Sequence, residues 1–252
     1  MADLAVKTAL ITGGGSGVGA IMARMLADAG VKVAVSGRRA DVLAEVANHK
    51  NITAISADVT DETSVRDMYA TMIGVIGAPD LVIANAGMAE SAPIGKTSVD
   101  LWKRTIDVNL TGTFLTFREG LAVMDKTKPG RLISIASTAG LKGYAYVTAY
   151  CAAKHGVVGL VKGMAAELAK TPITVNAVCP GFMETPMLEK SVDNIVAKTG
   201  MSADDARASL AKINPQNRLI QPQEVADTVM WLCSPNAASM TGQTISVSGG
   251  EI

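Results

Sequence analysis

The sequence predicts an α/β fold, in which one doubly wound parallel sheet carries helices on both faces. Short β-rich runs alternate with helical patterns from Val6 to Val178, which is typical of βαβ units. A glycine-rich turn, Gly13 to Gly19, separates the first predicted strand from the first predicted helix. No internal repeat or low-complexity linker divides the 252 residues. We therefore expect one domain over residues 1–252.

The predicted strands are short runs rich in Val, Ile, Ala and Thr. They cover residues 6–12, 31–36, 52–57, 81–84, 131–136, 174–178 and 244–247. The first helix has Ile21, Met25 and Leu26 at helical spacing and stops at Gly30. Further helices are predicted over residues 40–49, 61–76, 98–126, 150–170 and 222–233. The last of these helices is predicted to begin at Pro222, because proline suits the first turn of a helix.

Residues 185–221 interrupt this alternation and predict a small helical lid. They contain two short amphipathic patterns, residues 188–199 and 203–213, joined near Gly200. An insertion at this place, after the sixth predicted strand, is a candidate to cover a substrate. Its Met and Leu residues are interpreted first as packing residues, and a pocket lined by them would be apolar.

The composition excludes several classes of function. Lys and Arg number 23, as do Asp and Glu, and no basic run suggests nucleic acid. No stretch approaches the ~20 apolar residues of a membrane span, and the first apolar run stops at Gly13, too early for a leader. Three cysteines without Cys-x-x-Cys spacing indicate neither a disulfide framework nor a metal site. We expect a soluble, cytoplasmic protein whose partner is a small molecule.

The stretch from Ser137 to Lys154 carries the strongest chemical signal. Tyr150 and Lys154 are four residues apart, so a helix places them on one face. A nearby ammonium favours phenolate and is expected to lower the pKa of Tyr150 from its ordinary value of about 10. Such a tyrosine can exchange a proton with a substrate oxygen, and Ser137 could supply a hydroxyl to that oxygen. The structural alternative is a buried tyrosine beside a lysine with an apolar stem.

The glycine turn predicts a Rossmann-like nucleotide site. Gly13, Gly17 and Gly19 allow backbone N–H groups and a helix N-terminus to approach a pyrophosphate. Their spacing, Gly-x3-Gly-x-Gly, differs from the standard Gly-x-Gly-x-x-Gly fingerprint. A second register, Gly15-x-Gly17-x-x-Ala20, fits the looser form of that fingerprint. We prefer the first register because Gly13 ends the strand.

The end of the second strand bears on the choice of cofactor. An acidic residue there would bind the adenosine ribose hydroxyls, whereas an arginine accommodates a 2′-phosphate. Gly37 occupies the expected acidic position and Arg38 follows it. The sequence therefore favours NADP(H), with NAD(H) as the other possibility. The structural alternative is that Arg38 and Arg39 are solvated residues that open a helix.

Together these motifs resemble the single-domain branch of the short-chain dehydrogenase/reductase family. The resemblance extends over essentially the whole chain. Within the family the chain is similar to actinorhodin-type polyketide ketoreductases and 3-oxoacyl-thioester reductases. The motifs that carry it are Thr12-Gly13-x3-Gly17-x-Gly19, Asn85-Ala86-Gly87, Asn109, Ser137, Tyr150-x3-Lys154 and Pro180-Gly181.

The resemblance implies four catalytic residues. Tyr150 would be the general acid in ketone reduction and the base in alcohol oxidation. Lys154 would lower the pKa of Tyr150 and hold the nicotinamide ribose, and Ser137 would orient the substrate carbonyl. Asn109 would hold a water that links Lys154 to solvent. No metal is implied.

The resemblance also implies a set of cofactor-binding residues and a homotetramer. Besides Tyr150 and Lys154, the set comprises Gly13, Ser16, Gly17, Val18, Gly19, Arg38, Asp58, Val59, Asn85, Ala86, Gly87, Pro180, Gly181, Met183 and Thr185. Two positions depart from the family: Ala84 replaces a frequent Asn, and Ser16 replaces a basic residue frequent in NADP-preferring members. The tetramer contacts would be residues 98–126, residues 150–170 and the C-terminal strand.

The resulting hypothesis is an NAD(P)(H)-dependent oxidoreductase acting on a secondary alcohol/ketone pair. We expect a ketoreductase for 3-oxoacyl thioesters or for small or aromatic ketones. The alternative is an NAD-dependent catabolic dehydrogenase of alcohols or hydroxyacyl-CoA. A third hypothesis, from another class, is a nucleotide-sensing protein that keeps the fold without turnover.

Overall fold

A computed structural model describes residues 4–252, and these residues form one seven-stranded sheet with all strands parallel. Residues 1–3 of the predicted domain lie outside the described residues. The order of the strands across the sheet is β3-β2-β1-β4-β5-β6-β7. Their bounds are β1 Thr8–Thr12, β2 Lys32–Gly37, β3 Ile52–Ser56, β4 Leu81–Ala84, β5 Gly130–Ile135, β6 Ile173–Pro180 and β7 Thr244–Val247. The predicted α/β, doubly wound, Rossmann-like fold is confirmed.

The helices connect successive strands and cover both faces of the sheet. Their bounds are α1 Gly17–Asp28, α2 Ala40–Val46, α3 Glu62–Ile76, α4 Val99–Ile106, α5 Gly112–Val123, α6 Thr148–Leu168, α7 Pro186–Thr199, α8 Ala203–Ala211 and α9 Pro222–Leu232. Because both faces are covered, every residue of the central strands β4, β5 and β6 is buried, and most of these residues are apolar.

Two hydrophobic cores form because successive side chains of a strand point to opposite faces. Ile11 packs in the core beneath α1 and α9, whereas its neighbour Leu10 packs in the core beneath α3, α5 and α6. Met22 of α1 belongs to the first core and Phe117 of α5 to the second, and both are buried.

The order of the strands decides where a ligand can bind. The chain winds outward from β1 to β2 and β3, then returns to place β4 on the other side of β1. A crevice therefore opens at the carboxyl ends of β1 and β4, where open α/β sheets bind their ligands. The glycine turn follows β1 and residues 85–87 follow β4, so both reach this crevice.

The segment 185–221 contains the two predicted lid helices as α7 and α8. They pack together through a small core of their own, which includes Leu188, Val192 and Leu210. Helix α7 begins at Pro186, two residues earlier than predicted, because proline suits the first position of a helix. It ends at Gly200, whose φ of +73° is left-handed backbone that glycine adopts without strain.

Two larger differences from the predicted helices have a structural cause. The single helix predicted over residues 98–126 is divided, because a π-helical turn, Asp107–Thr111, lies between α4 and α5. Helix α2 ends at Val46 rather than at residue 49, and the imidazole of His49 instead accepts a hydrogen bond from the Asn51 N–H. That local contact competes with continuation of the helix.

Between residues 4 and 252, no helix is both long and apolar enough to cross a membrane. In the same part of the chain, no group of three or more His, Cys, Asp or Glu side chains has a metal-binding arrangement. Cys151, Cys179 and Cys233 are buried free thiols.

Candidate active site

Tyr150 and Lys154 lie in the first two turns of α6, at the carboxyl end of β5. The Lys154 Nζ lies 5.6 Å from the centre of the Tyr150 ring, so the helix brings the phenol and the ammonium to one site as predicted. Lys154 is 4% exposed, and its Nζ donates a hydrogen bond to the Ile135 carbonyl at 2.9 Å. The buried ammonium is therefore held at the end of β5, beneath the crevice.

The pKa of Tyr150 corrects one expectation from the sequence. Burial raises the pKa of Tyr150 to about 12, and the hydrogen bond with Ser137 only partly opposes this effect. The predicted lowering by Lys154 is not found, because desolvation of the phenolate dominates. Burial also lowers the pKa of Lys154 to about 8. At neutral pH the phenol therefore keeps its proton and can donate it.

Ser137 lies two residues after the end of β5 and faces Tyr150. Its Oγ accepts a hydrogen bond from the Ala139 N–H at 3.0 Å and caps the short 3-10 turn Thr138–Gly140. This bond orients the hydroxyl. The Ser137 hydroxyl and the Tyr150 phenol line the same small cavity, so both can reach one substrate oxygen.

Asn109 lies in the π-helical turn and is fully buried. Its Nδ2 donates to the carbonyls of Met88 and Thr105, both at 2.9 Å, and its Oδ1 accepts from the Met88 N–H at 3.2 Å. The amide therefore joins the segment after β4 to the π-helical turn. Both N–H donors of the Asn109 amide already bond to protein carbonyls. Only an oxygen atom of Asn109 could therefore bind the water of the predicted relay. That relay stays a prediction.

The glycine turn after β1 is tightly packed against the segment after β4. A Cβ on Gly19 would lie 2.4 Å from the Gly13 carbonyl oxygen, and one on Gly13 would lie 2.8 Å from Ala86 Cα. The Asn85 Nδ2 donates to the carbonyls of Thr12 and Gly13, both at 3.0 Å. Gly13 and Gly17 have left-handed φ angles of +64° and +53°. The turn thus forms a fixed cradle at the N-terminus of α1.

A cleft of about 330 Å³ runs along this edge of the sheet from the end of β2 to Tyr150. Of the predicted cofactor residues, those that line it are Gly13, Ser16, Gly17, Val18, Arg38, Asp58, Val59, Asn85, Ala86, Gly87, Tyr150, Lys154, Met183 and Thr185. The lining residues not predicted from the sequence are Gly15, Gly37, Arg39, Val42, Leu43, Ala57, Val108, Ile135, Ala136, Pro186 and Met187.

Gly19, Pro180 and Gly181 do not line this cleft. Gly19 packs beneath the turn, where it permits the close approach described above. Pro180 and Gly181 line the neighbouring small cavity. Val42 and Leu43, which were missed, could have been found from the sequence, because they lie on α2, the helix that directly follows Arg38 and Arg39. Val108 has no such signal, because only the π-helical turn brings it to the cleft.

The far end of the cleft is polar and carries cations. Arg38 is exposed and lies close to Asp58, across the ends of β2 and β3. Burial tends to raise the pKa of Asp58, but hydrogen bonds from Thr60 and the charge of Arg38 lower it overall. Asp58 is therefore ionised and engaged locally, and Arg38 and Arg39 supply positive charge to this end of the cleft.

A second cavity of about 150 Å³ adjoins the cleft on the side of the lid segment. The two share five lining residues: Ala136, Tyr150, Met183, Thr185 and Met187. The small cavity is also lined by the aromatic rings of Tyr144 and Phe182, which contact edge to face at 5.9 Å. Tyr150 therefore lies at the junction of a long cleft and a largely apolar cavity.

The long cleft has the features that a nicotinamide dinucleotide requires. Left-handed glycines leave backbone space for a pyrophosphate at the N-terminus of α1. Cations lie at one end, and Tyr150 and Lys154 lie at the other. The residues present therefore fit such a cofactor: Arg38 would lie near its adenosine and Tyr150 near its reactive end.

Comparison with known proteins identifies the chain's relatives. A family model described as short chain dehydrogenase matches residues 7–195. The D-beta-hydroxybutyrate dehydrogenase of Rhizobium meliloti (strain 1021) is 36% identical, covering 97% of this chain and 98% of the relative. The granaticin polyketide synthase putative ketoacyl reductase 1 of Streptomyces violaceoruber is also 36% identical, covering 98% and 93% respectively.

A solved structure agrees with these sequence matches. A variant of the actinorhodin polyketide ketoreductase, crystallised with NADPH, superimposes with a TM-score of 0.93 at 34% sequence identity. The match covers 100% of this chain and 99% of the other. The whole chain, including the helical pair α7 and α8, is thus similar to a solved ketoreductase.

Proposed function

Because the chain belongs to the short-chain dehydrogenase family and is an oxidoreductase acting on CH–OH or ketone groups, we propose that it works as an NADP(H)-dependent ketoreductase. The observation that carries this proposal is the position of the Tyr150 phenol, beside Lys154 and at the junction of the long cleft and the small apolar cavity. A phenol with a pKa of about 12 is protonated at neutral pH and can donate that proton, which suits reduction of a carbonyl.

The chain's own residues prepare both reactants. The cradle at Gly13 and Gly17 binds the pyrophosphate, while Lys154 and the segment after β4 hold the ribose beside Tyr150. When bound, the nicotinamide cofactor supplies the hydride that the protein itself lacks. Ser137 and Tyr150 hydrogen-bond the substrate oxygen, and Tyr150 Oη donates its proton to that oxygen. Lys154, when protonated, stabilises the negative charge that then develops on Tyr150.

Preference for NADP(H) over NAD(H) is supported by charge. Gly37 ends β2 where an acidic residue would bind ribose hydroxyls, and Arg38 and Arg39 line the adenosine end of the cleft. A guanidinium binds a phosphate with two parallel hydrogen bonds. The related actinorhodin ketoreductase was crystallised with NADPH, which favours the same choice.

The substrate is proposed to be a ketone with a largely apolar carbon skeleton. Tyr144, Phe182, Met187 and Leu188 give the small cavity apolar walls. A 3-oxoacyl thioester or an aromatic ketone fits these walls, in agreement with the relative named as a putative ketoacyl reductase. The relative named as a D-beta-hydroxybutyrate dehydrogenase favours the alternative, an NAD-dependent catabolic dehydrogenase of alcohols or hydroxyacyl-CoA.

Three further features belong to this proposal. Residues 185–221 act as the substrate lid, since Met187 and Leu188 of α7 line the small cavity. The protein is cytoplasmic. It forms a homotetramer, for which the exposed side chains of Val99, Trp102 and Phe114 on α4 and α5 offer apolar contact surface.

The cofactor preference is tested by titrating NADPH and NADH into the wild type and Arg38→Ala. We expect NADPH to bind the wild type more tightly and Arg38→Ala to lose about tenfold or more of that preference, with NADH affinity unchanged. Arg24→Ala, an exposed arginine on α1 away from the cleft, is the matched control. Equal or tighter binding of NADH by the wild type would support the NAD-dependent alternative.

Turnover is tested with a panel of ketones and alcohols, by following absorbance at 340 nm. We expect ketone reduction by the wild type and its loss in Tyr150→Phe. Tight cofactor binding with no turnover of any substrate would instead support a nucleotide-sensing protein.

A further inference from the structure

Glu251, the penultimate residue of the chain, has its carboxylate inside the protein. Its side chain is only 2% exposed, although it lies next to the C-terminus. The Oε1 atom accepts from the Lys142 ammonium at 2.8 Å and from the Tyr144 hydroxyl. The Oε2 atom is buried without a hydrogen-bond partner. A buried carboxylate is costly unless it is well paired, so this arrangement needs an explanation.

The chain turns sharply to bring Glu251 inward. Gly249 and Gly250 have φ angles of +63° and +90°, and both follow the end of β7. A Cβ on Gly249 would lie 2.0 Å from the Asn214 side chain, near the end of the lid segment. A Cβ on Gly181 would lie 3.1 Å from the Glu251 Oε2. Glycines at these positions therefore make room for the inward turn and for the carboxylate.

The hydrogen bonds around Tyr144 have one consistent direction. An ionised carboxylate can only accept, so the Tyr144 hydroxyl donates its single proton to Glu251. The Thr138 hydroxyl, 2.6 Å from the Tyr144 oxygen, must then be the donor to it. The Lys142 ammonium also lies 5.0 Å from the centre of the Tyr144 ring. Three groups therefore hold this phenol, and burial with the Glu251 hydrogen bond raises its pKa.

Tyr144 is the connection between this network and the substrate cavity. Its ring lines the small cavity together with Phe182 and Tyr150, whereas Glu251 lies behind the cavity wall. Because its hydroxyl is engaged by Glu251 and Thr138, Tyr144 offers the cavity its ring as an apolar wall. A ring fixed in one place discriminates between substrates by shape.

We propose that Glu251 is a positioning residue for substrate selection, because it anchors Tyr144 as a fixed aromatic wall of the cavity that receives the ketone. The proposal rests on the proposed ketone reduction at Tyr150 and adds a role for the Glu251 side chain. It assigns selectivity for bulky, apolar ketones to the contact between Glu251, Lys142 and Tyr144.

The test compares 1-tetralone, a bulky aromatic ketone, with butanone, a small one. In Glu251→Ala and Tyr144→Phe we expect the ratio of kcat/KM for 1-tetralone to that for butanone to fall about tenfold, mainly through KM. The Kd for NADPH is expected to stay unchanged, because neither residue lines the long cleft. Ile252→Ala, a neighbouring variant of a half-exposed residue, should keep the wild-type ratio.

The double variant Glu251→Ala/Tyr144→Phe separates anchoring from independent effects. If Glu251 acts through Tyr144, the ratio of kcat/KM for 1-tetralone to that for butanone should be no lower in the double variant than in either single variant. An unchanged ratio in the single variants, or additive losses in the double variant, would overturn the proposal. A general loss of stability would lower turnover of both ketones equally, which also counts against it. Glu251→Leu, which keeps much of the side-chain volume but has no acceptor for the Tyr144 hydroxyl, provides the same measurement if Glu251→Ala does not fold.

A second readout does not depend on turnover. The chain has four tyrosines, so 3-fluorotyrosine labelling gives four ¹⁹F signals, and Tyr144→Phe assigns that of Tyr144. We expect Glu251→Leu, which removes the acceptor, to shift the Tyr144 signal and leave those of Tyr69 and Tyr146 in place. An unmoved Tyr144 signal would refute the anchoring. If the signal moves but the wild type reduces no ketone, then the anchoring stands and the proposed reaction is wrong.

Discussion

Replacing Lys154 with Met should stabilise the folded protein while abolishing its proposed activity. Lys154 is 4% exposed, and burial lowers its pKa from 10.5 to about 8. At ~1.36 kcal/mol per pKa unit, keeping this ammonium charged in the fold costs about 3 kcal/mol. The hydrogen bond to the Ile135 carbonyl, lost in Lys154→Met, offsets about 1 kcal/mol. We therefore expect a gain of about 2 kcal/mol at pH 7.

The stability cost of burying the Lys154 ammonium depends on pH in a defined direction. The folded-state pKa lies below the unfolded one, so the cost is complete below about pH 8 and disappears as the pH rises towards 10.5. Between pH 7 and pH 9 the wild type should recover about 1 kcal/mol relative to Lys154→Met. Comparison with the variant at each pH cancels the titration of shared groups that do not interact with Lys154.

Urea unfolding at pH 7 and pH 9, at one protein concentration, measures both quantities. Lys162→Met, an exposed lysine on the same helix, is the matched control and should change stability little at either pH. The reasoning is refuted if Lys154→Met is less stable than the wild type at pH 7. It is also refuted if the difference between the two proteins is the same at both values of pH.

Three further predictions concern the rest of the site. Gly19→Ala should lower the free energy of unfolding by about 1–3 kcal/mol, because its Cβ would lie 2.4 Å from a carbonyl oxygen. The control is Gly159→Ala, on α6 with open space around it, which should not lower the free energy of unfolding in the same denaturation experiment. Asn109→Ala, which loses three hydrogen bonds, should lower the unfolding free energy by about 2–4 kcal/mol and reduce turnover; unchanged stability would show that the amide does not support the segment after β4. Tyr150→Phe should reduce kcat for ketone reduction by about 100-fold or more, a far larger effect than any change in the Kd for NADPH, whereas the exposed Tyr146→Phe should keep wild-type kinetics. Comparable rates for both tyrosine variants would contradict the role of Tyr150 as proton donor.

Local patterns were sufficient for most of the fold. The strands around Leu10, Val33 and Val82 are short apolar runs bounded by polar or glycine residues, and each run predicts a buried parallel strand. The π-helical turn around Asn109 could not be predicted, because residues 98–126 read as one continuous helix. Its stability comes from hydrogen bonds between Asn109 and Met88, which lie 21 residues apart.

The candidate site was also predicted only in part, because some of its contacts lie within one element and others join residues far apart in the chain. Tyr150, Lys154 and the glycine turn lie within single elements, where spacing along the chain determines which side chains meet. The pKa of Tyr150 was predicted in the wrong direction, because the sequence shows the neighbouring lysine but not the burial that outweighs it. The involvement of Glu251 was also missed, because 107 residues separate it from Tyr144.

By itself the sequence determined the order of strands and helices, the cofactor turn and the pair formed by Tyr150 and Lys154. These features depend on backbone periodicity and on residues close along the chain. The tertiary structure alone decided how deeply Tyr150 and Lys154 are buried, and which distant residues surround the substrate cavity. The desolvation and packing of a side chain depend on every helix, strand and loop that surrounds it, and these elements come together only when the chain folds.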